Sequence, residues 1–440
     1  MSQILARDAA KLDLHSNTPP KINTVSLSKY FPRGTVYFYS FPSGEDSNFY
    51  NAVPPWKEEL VAARPLVSGG DKIRAVTFAS SLEDEVWNIL KNDLGVELIA
   101  KSNIIALPGA IHDEVTGNER NTLLKSALRN LVDHGTLVMA QPFLHEHLEE
   151  HYQISPQLVI ELNDKKSLMT FFPAENLPHS YRRFGSGPEF VASTEAFPLP
   201  CVVKVSSSSS GDGVRICRTP VDLASAKHDF AHLGGTIFVE EFVDTLHNLC
   251  IQFGIPVDRS QPIEIIGQNE QLVSPDGDYL GGVVNPKKAL KKIEEVHKIL
   301  IHQVLPTVRA AGWYGVGGID VLVSKDERIY FIDPNFRMTA AFTYVCLNKN
   351  GKIKKPVASF TGTVDSETNF KKNIIPLATE GVSNQLLSFI ALVKHGDIYR
   401  FNAGMFFEDD HTLCENAGLL LKLGVRSQVL EKLSDPANLF

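Results

Sequence analysis

The chain has 440 residues, with 43 Lys and Arg against 51 Asp and Glu, a formal charge of -8 and 43% hydrophobic residues, the profile of an ordinary globular protein. At roughly 150 residues per domain this length predicts about three domains or lobes, and the acidic balance offers no chain-wide attraction to nucleic acid or to an anionic membrane. Five cysteines, odd in number, widely spread and without a C-x-x-C pair, indicate neither a disulfide framework nor a cysteine zinc site and are expected as buried thiols.

Residues 1–29 are polar and lack the apolar core of a signal peptide, and no later stretch reaches the ~20 apolar residues of a membrane span, so a cytoplasmic protein is expected. Residues 35–41 (TVYFYSF) predict a buried strand, with further strands over 73–78, 96–100, 103–107 and 136–140. Apolar residues recur at three- and four-residue steps over 81–94 and 122–134, which predicts helices between strands and an α/β domain over 1–160. A helix is expected to start at Asn163 and Asp164, followed by a loop or hinge through Pro178, Gly185, Gly187 and Pro188. Strands over 201–205, 214–217 and 236–240 and a helix over 221–233 make a small α+β unit, expected as a mobile lobe over about 198–240.

The most periodic segment is 287–311, where Ala289, Ile293, Val296, Leu300, Val304 and Val308 share one helical face. Lys287, Lys288, Lys291 and Lys292 are expected as a solvated face at its start, with a kink at Pro306 near its end. Residues 312–335 predict a hairpin, 384–394 a helix and 404–407 a strand; the part beyond 345 carries no catalytic signature and is assigned packing or dimerisation.

The hairpin carries the clearest chemistry. A four-residue turn (Lys325, Asp326, Glu327, Arg328) places Asp320 across from Asp333, with Asn335 two residues further on. Like charges directly opposite on a sheet repel, so this pairing makes sense with a cation between them, and all-oxygen ligation suits Mg²⁺. On spacing alone the alternative is that Asp333 merely ends a strand before Pro334 while Asp320 points to solvent.

A second constellation is Val202-Val203-Lys204-Val205 followed by five serines (206–210) and Gly211-Asp212-Gly213. Five serines can be a flexible linker. Apolar strand residues on both sides favour instead a hairpin tip rich in N–H and hydroxyl donors, able to fold over phosphate oxygens. Lys204 inside an apolar strand needs an anionic partner, since an unpaired buried ammonium is costly. No Walker P-loop or G-x-G-x-x-G occurs. The third segment, Phe238-Val239-Glu240-Glu241-Phe242-Val243, is by itself an ordinary acidic strand end.

Taken in order, Asp164-Lys165, Lys204 with 206–213, Glu240 to Val243, and Asp320 with Asp333-Pro334-Asn335-Phe336-Arg337 resemble the ATP-grasp superfamily over about 161–345. The resemblance implies an ATP-grasp fold preceded by an N-terminal α/β domain and followed by a C-terminal extension over 346–440. It implies ATP and Mg²⁺ (or Mn²⁺) as cofactors: Lys165 and Lys204 on the phosphates, Ser207, Ser208, Ser209, Gly211 and Gly213 closing over them, Glu240, Glu241, Phe242 and Val243 around the adenine, and His247 toward the ribose. Asp320, Asp333 and Asn335 would hold the metal, and Arg337 and Lys204 would act on the phosphoryl group in transit.

The implied activity is an ADP-forming ligase that activates a carboxylate as an acyl phosphate and joins it to an amine or thiol. Its partners would be small-molecule carboxylates and amines, among them amino acids or a carrier-bound acyl group, with a homodimer left open and no nucleic acid or membrane. Some positions depart from the family pattern: Asp333 stands where Glu is usual, Gly318 where an Arg is common, and Met338-Thr339-Ala340 where glycines are usual. The missing arginine and glycines support a regulatory, nucleotide-binding module without turnover as the alternative, while the intact metal triad argues against it. A rival of another class is His147-Leu148-Glu149-Glu150-His151, the H-x-x-E-H spacing of one zinc peptidase group.

Overall fold

Short β-branched and aromatic runs build three sheets in the computed structural model, which describes residues 25–39, 55–92, 98–107, 137–139, 151–207, 213–273, 279–379 and 385–435. The first sheet holds β1 (Val36–Phe38), β2 (Arg74–Phe78), β3 (Ile104–Leu107) and β4 (Leu137–Met139) in the order β3-β2-β1-β4, all parallel. Parallel neighbours require crossovers; helix Pro55–Ala63 lies between β1 and β2 and helix Asp84–Asn92 between β2 and β3. The helix expected over 122–134 lies outside the described residues. No strand forms over 98–100: Ile99 is buried, but its N–H donates to the Leu66 carbonyl at 2.9 Å instead of to a sheet neighbour.

The second sheet holds β5 (Ser180–Phe184), β6 (Cys201–Val205), β7 (Val214–Cys217) and β8 (Ile237–Glu241), antiparallel in the order β5-β8-β6-β7. Helix Pro220–Phe230, opened by a Thr219/Asp222 capping box, packs Ala226 and Phe230 onto it. The loop expected around Gly185 to Pro188 is instead β5 and helix Gly187–Ala192. Ser186 caps that helix, Pro188 fits its first turn, and Gly187 lets the backbone meet the Phe230 carbonyl, where a Cβ would stand only 1.9 Å away. Asn163 likewise ends a helix (Pro156–Asn163) rather than starting one, while Asp164 caps the tight turn Lys165–Ser167 by accepting from Lys166 N–H at 2.7 Å.

The third sheet is antiparallel and eight-stranded: β9 (Thr245–Ile255), β10 (Glu264–Val273), β11 (Tyr279–Val284), β12 (Gly315–Ser324), β13 (Ile329–Asn335), β14 (Val357–Val364), β15 (Leu387–His395) and β16 (Ile398–Phe406), in the order β13-β12-β9-β10-β11-β14-β16-β15. It continues from the hairpin segment into the C-terminal part. β15 replaces the helix expected over 384–394, and a bulge between Phe389 and Ala391 explains the misreading. The extra residue breaks the period-two alternation in a strand buried on both faces, leaving an apolar run that periodicity alone cannot assign.

The long helix starts at Ile293, so Lys287, Lys288 and Lys291 precede it and lie exposed. It runs to Ala310 through a wide π turn at Leu300–Val304, just before Pro306, whose missing N–H and bulky ring the wider turn accommodates. One core joins Tyr37 and Ile73 of the first domain to Phe253 and Phe331 of the large sheet. Among the described residues all five cysteines are unpaired, four of them buried and Cys414 half-buried, and no helix is long and apolar enough to cross a membrane.

Candidate functional site

The β12–β13 register sets Asp320 directly opposite Asp333 and Gly318 opposite Asn335. Both strands are flanked by apolar neighbours, so the carboxylates are drawn into low dielectric. Burial and then the Asp333 charge push the Asp320 carboxyl up to about 7, and its Oδ1 is buried without a hydrogen-bond partner. Asp333 meets Lys165 at 3.0 Å, a lysine whose side chain is only 4% exposed. An orphaned buried carboxylate oxygen facing a second carboxylate, with the Asn335 amide beside it, is an all-oxygen donor set that fits a hard divalent cation. Gly318 has no room for the arginine expected there: a Cβ would stand 2.6 Å from Thr339 Cγ2 and 2.8 Å from Cys250 Sγ.

Lys204 on β6 finds its anion in Glu240 on the neighbouring β8, at 2.7 Å. The serine loop is pinned at both ends, because Val205 N–H donates to the Gly213 carbonyl at 2.9 Å and Lys165 N–H donates to the Ser206 carbonyl at 2.9 Å. Ser207 and Gly213 mark those ends, whereas Ser208, Ser209 and Gly211 lie outside the described residues. At the end of β8 the Glu241 carboxylate accepts from His179 N–H at 2.9 Å, and just beyond it the Phe242 ring lies 5.6 Å from the Arg218 guanidinium. Asn163, at the end of its helix, accepts from Phe336 N–H at 3.0 Å and from Arg337 Nη1 at 2.8 Å, which holds Arg337 through a neutral amide.

These groups share one cleft of about 860 Å³, lined by Lys165, Lys204, 240–243, Asp320, Asp333, Asn335 and Arg337. His247 does not line it. On β9 Asn248 and Cys250 face the cleft, so alternation sends His247 to the opposite face, where its Nδ1 lies 3.1 Å from Glu270. Sequence reasoning also missed Asn269 and Gln271 of β10, together with Arg64 and Asn402. The i, i+2 pattern of polar residues on β9 and β10 (Asn248, Cys250; Asn269, Gln271) was the available signal. The zinc-type motif lies outside the described residues apart from His151, and among those described no three His, Cys, Asp or Glu side chains gather around a metal position.

A family model described as "L-aspartate--L-methionine ligase, ATP grasp" matches residues 181–335. Formate-dependent phosphoribosylglycinamide formyltransferase of Bacillus subtilis (strain 168) is 30% identical over 166 residues, covering 36% of this chain and 41% of that protein. Its counterpart from Vibrio cholerae serotype O1 (strain El Tor Inaba N16961) is 32% identical over 196 residues, covering 42% and 47%. The match therefore spans less than half the length of these curated relatives. Among solved structures, an ADP complex of N5-carboxyaminoimidazole ribonucleotide synthetase aligns over 93% of this chain and 100% of its own, with TM-score 0.55 and 12% identity. Biotin carboxylase from Campylobacter jejuni aligns over 92% and 95%, with TM-score 0.55 and 13% identity. The ordered motifs and the segment matched by the family model coincide, so residues 181–335 are similar to an ATP-grasp ligase, and the chain as a whole has a fold like that of the two solved structures.

Proposed function

We propose that the protein is an ATP- and Mg²⁺-dependent, ADP-forming ligase that activates a small-molecule carboxylate and joins it to an amine. The observation that carries this reading is the in-register Asp320/Asp333 pair, with one buried carboxylate oxygen lacking any partner, in the cleft that also holds Lys204 and Arg337. Relatives named as ligases and a formyltransferase, and neighbours crystallised with ADP or an ATP analogue, support it.

On this reading the segment 240–243 receives the adenine, while Lys165 and Lys204 carry the phosphates, with the serine loop closing over them. Nucleotide entry then exchanges the Lys204–Glu240 and Lys165–Asp333 contacts for charge-assisted contacts to phosphate oxygens. Asp320, Asp333 and Asn335 hold the metal, which when bound neutralises charge on the β- and γ-phosphates. A substrate carboxylate oxygen attacks the γ-phosphorus, the bond to the bridging oxygen breaks and ADP leaves. Arg337, steadied by Asn163, stabilises the charge on the transferring group. An amine lone pair then attacks the acyl carbon, the bond to the phosphate oxygen breaks, and the phosphate departs with the amine's proton. Exclusion of water by the small sheet protects the acyl phosphate.

The test is a screen of carboxylic acid and amine pairs for Mg²⁺-dependent release of ADP and phosphate. ADP and phosphate in equal amounts are expected. AMP release would overturn the acyl phosphate step, and tight ATP binding with no turnover for any pair would favour the regulatory module.

A further inference from the structure

The cleft has a wall that the nucleotide chemistry leaves unused. Arg64 follows helix Pro55–Ala63 and lines the cleft alongside β14 and β16. Its Nε donates to Asn402 Oδ1 at 2.8 Å, and Asn402, itself only 5% exposed, donates from Nδ2 to Thr361 Oγ1 at 2.7 Å. The guanidinium stands 5.6 Å from the Tyr39 ring centroid. Its orientation is thus fixed by two strands and an aromatic face, with the anchor taken from a neutral amide.

Of the other cations of the cleft, Lys165 pairs with Asp333, Lys204 with Glu240 and Arg426 with Asp365, while Arg337, assigned above to the transferring phosphoryl group, is held like Arg64 by an asparagine. Among the described residues no carboxylate lies within 4.0 Å of Arg64. Holding a guanidinium by Nε on an uncharged partner leaves both terminal nitrogens and the full charge for a fork-shaped oxyanion. Half-buried Tyr279 lines the cleft together with Asp320 and Arg64, which puts Arg64 in the same cleft as the metal pair, on the wall completed by the C-terminal strands. Neutral polar groups, Asn269, Gln271 and Ser359, line the same cleft. A guanidinium anchored through Nε, with its terminal fork toward the cleft, matches the two oxygens of a planar carboxylate.

We infer that Arg64, oriented by Asn402 and Thr361, binds a carboxylate that the reaction does not consume, so that either the amine acceptor is an amino acid or the activated substrate is a dicarboxylic acid. This inference rests on the ligase reading, and it makes the first and third sheets joint builders of the acceptor pocket.

The experiment combines kinetics with binding. Wild type, Arg64→Met and Asn402→Asp are compared with α-amino acids, succinate, glutarate, their carboxamides and ribose 5-phosphate, with nucleotide affinity measured separately by calorimetry. Asn402→Asp keeps the size of the side chain while giving Arg64 an internal carboxylate, so it serves where Arg64→Met folds poorly. In both variants KM for the preferred carboxylate is expected to rise about 10- to 100-fold, the usual scale for a lost hydrogen bond to a charged group, with Mg²⁺-nucleotide affinity unchanged. Amidated analogues should be poor for wild type and lose nothing further on substitution. Equal losses for amidated and free substrates, or preferential loss with ribose 5-phosphate, would overturn the inference. If no pair turns over, the ligase reading fails separately. Thermal-shift binding of the same probes with Mg²⁺ and a non-hydrolysable ATP analogue then decides: stabilisation by carboxylates in wild type alone supports Arg64, and no stabilisation by any carboxylate sinks it.

Discussion

The large sheet has a hairpin at each edge, and the two are used in opposite ways. At one edge the β12–β13 register, shifted by a bulge at Ile332, brings Asp320, Asp333 and Asn335 into the cleft while Val321, Val323 and Phe331 stay in the core. At the other edge β15 and β16 are buried on both faces: Ile390, Ala391 and Val393 join one core, and Leu387, Phe389, Leu392 and Phe401 join the other. The same antiparallel geometry thus supplies a polar, destabilised face for binding and a doubly covered apolar strand for cohesion. A substitution should therefore cost activity at one edge and stability at the other.

The largest effect is expected at Asp320. Asp320→Asn should lower turnover by about 10³-fold, the scale of losing a preorganised electrostatic contact to the reacting phosphates, while the protein stays folded. Its stability gives a second readout. In the metal-free protein burial and Asp333 raise this carboxyl from 3.8 to about 7, so folding favours the protonated form. The group's contribution is full below its unfolded value and is lost as pH rises toward 7. Chemical denaturation across that range should show wild type losing stability relative to Asp320→Asn, with Mg²⁺ at about pH 8 restoring it. Equal pH profiles without metal would break the assignment of Asp320 as a buried, uncompensated ligand.

Phe401→Ala probes the other edge. Phe401 is fully buried and packs against Phe360, Phe370 and Phe389 with centroids 6.1, 5.8 and 5.2 Å away. Truncation should cost about 3–5 kcal/mol in denaturant titration, with kcat/KM of the remaining folded enzyme unchanged at low temperature. A loss of kcat/KM at constant stability would erase the contrast between the edges. Between these lies Lys204→Met, for which about 10²-fold lower kcat/KM is expected. Glu240→Gln in the same background should recover stability but not activity, because it removes the carboxylate left unpaired by the first change.

The contrast also marks what a sequence can disclose. A four-residue turn predicts the Asp320/Asp333 pairing, but the ladder beside the turn pairs Val323 with Ile329, and a bulge at Ile332 restores the expected partners; β6 and β7 were legible because each is bounded by turn-forming residues. The β15 bulge was not, since one extra residue inverts the alternation without changing composition. His247 was misassigned for a related reason: a loop position counted from the acidic strand carries no information on which face of the following strand it will occupy. Arg64 gave no signal at all, because its partner Asn402 lies 338 positions away and only the sheet order unites them.

The smallest expected effect concerns how the far edge is tied to the N-terminal domain. Glu85, on helix Asp84–Asn92, accepts from Tyr399 Oη at 2.9 Å and meets Lys371 at 2.9 Å and Lys394 at 3.1 Å. Burial raises its carboxyl, but the hydrogen bonds from Lys371, Lys394 and Tyr399 outweigh burial and hold it below the ordinary glutamate value. A depressed acid contributes stability above its unfolded value and loses it as pH falls through the folded one. Glu85→Gln should therefore cost up to about 1 kcal/mol at neutral pH, the upper range for a partly exposed ion pair. Wild type and variant should converge once the solution is acidic enough to protonate Glu85 in both states. Turnover should be untouched, since this cluster serves cohesion, whereas a change in KM would mean that the two edges communicate through the sheet.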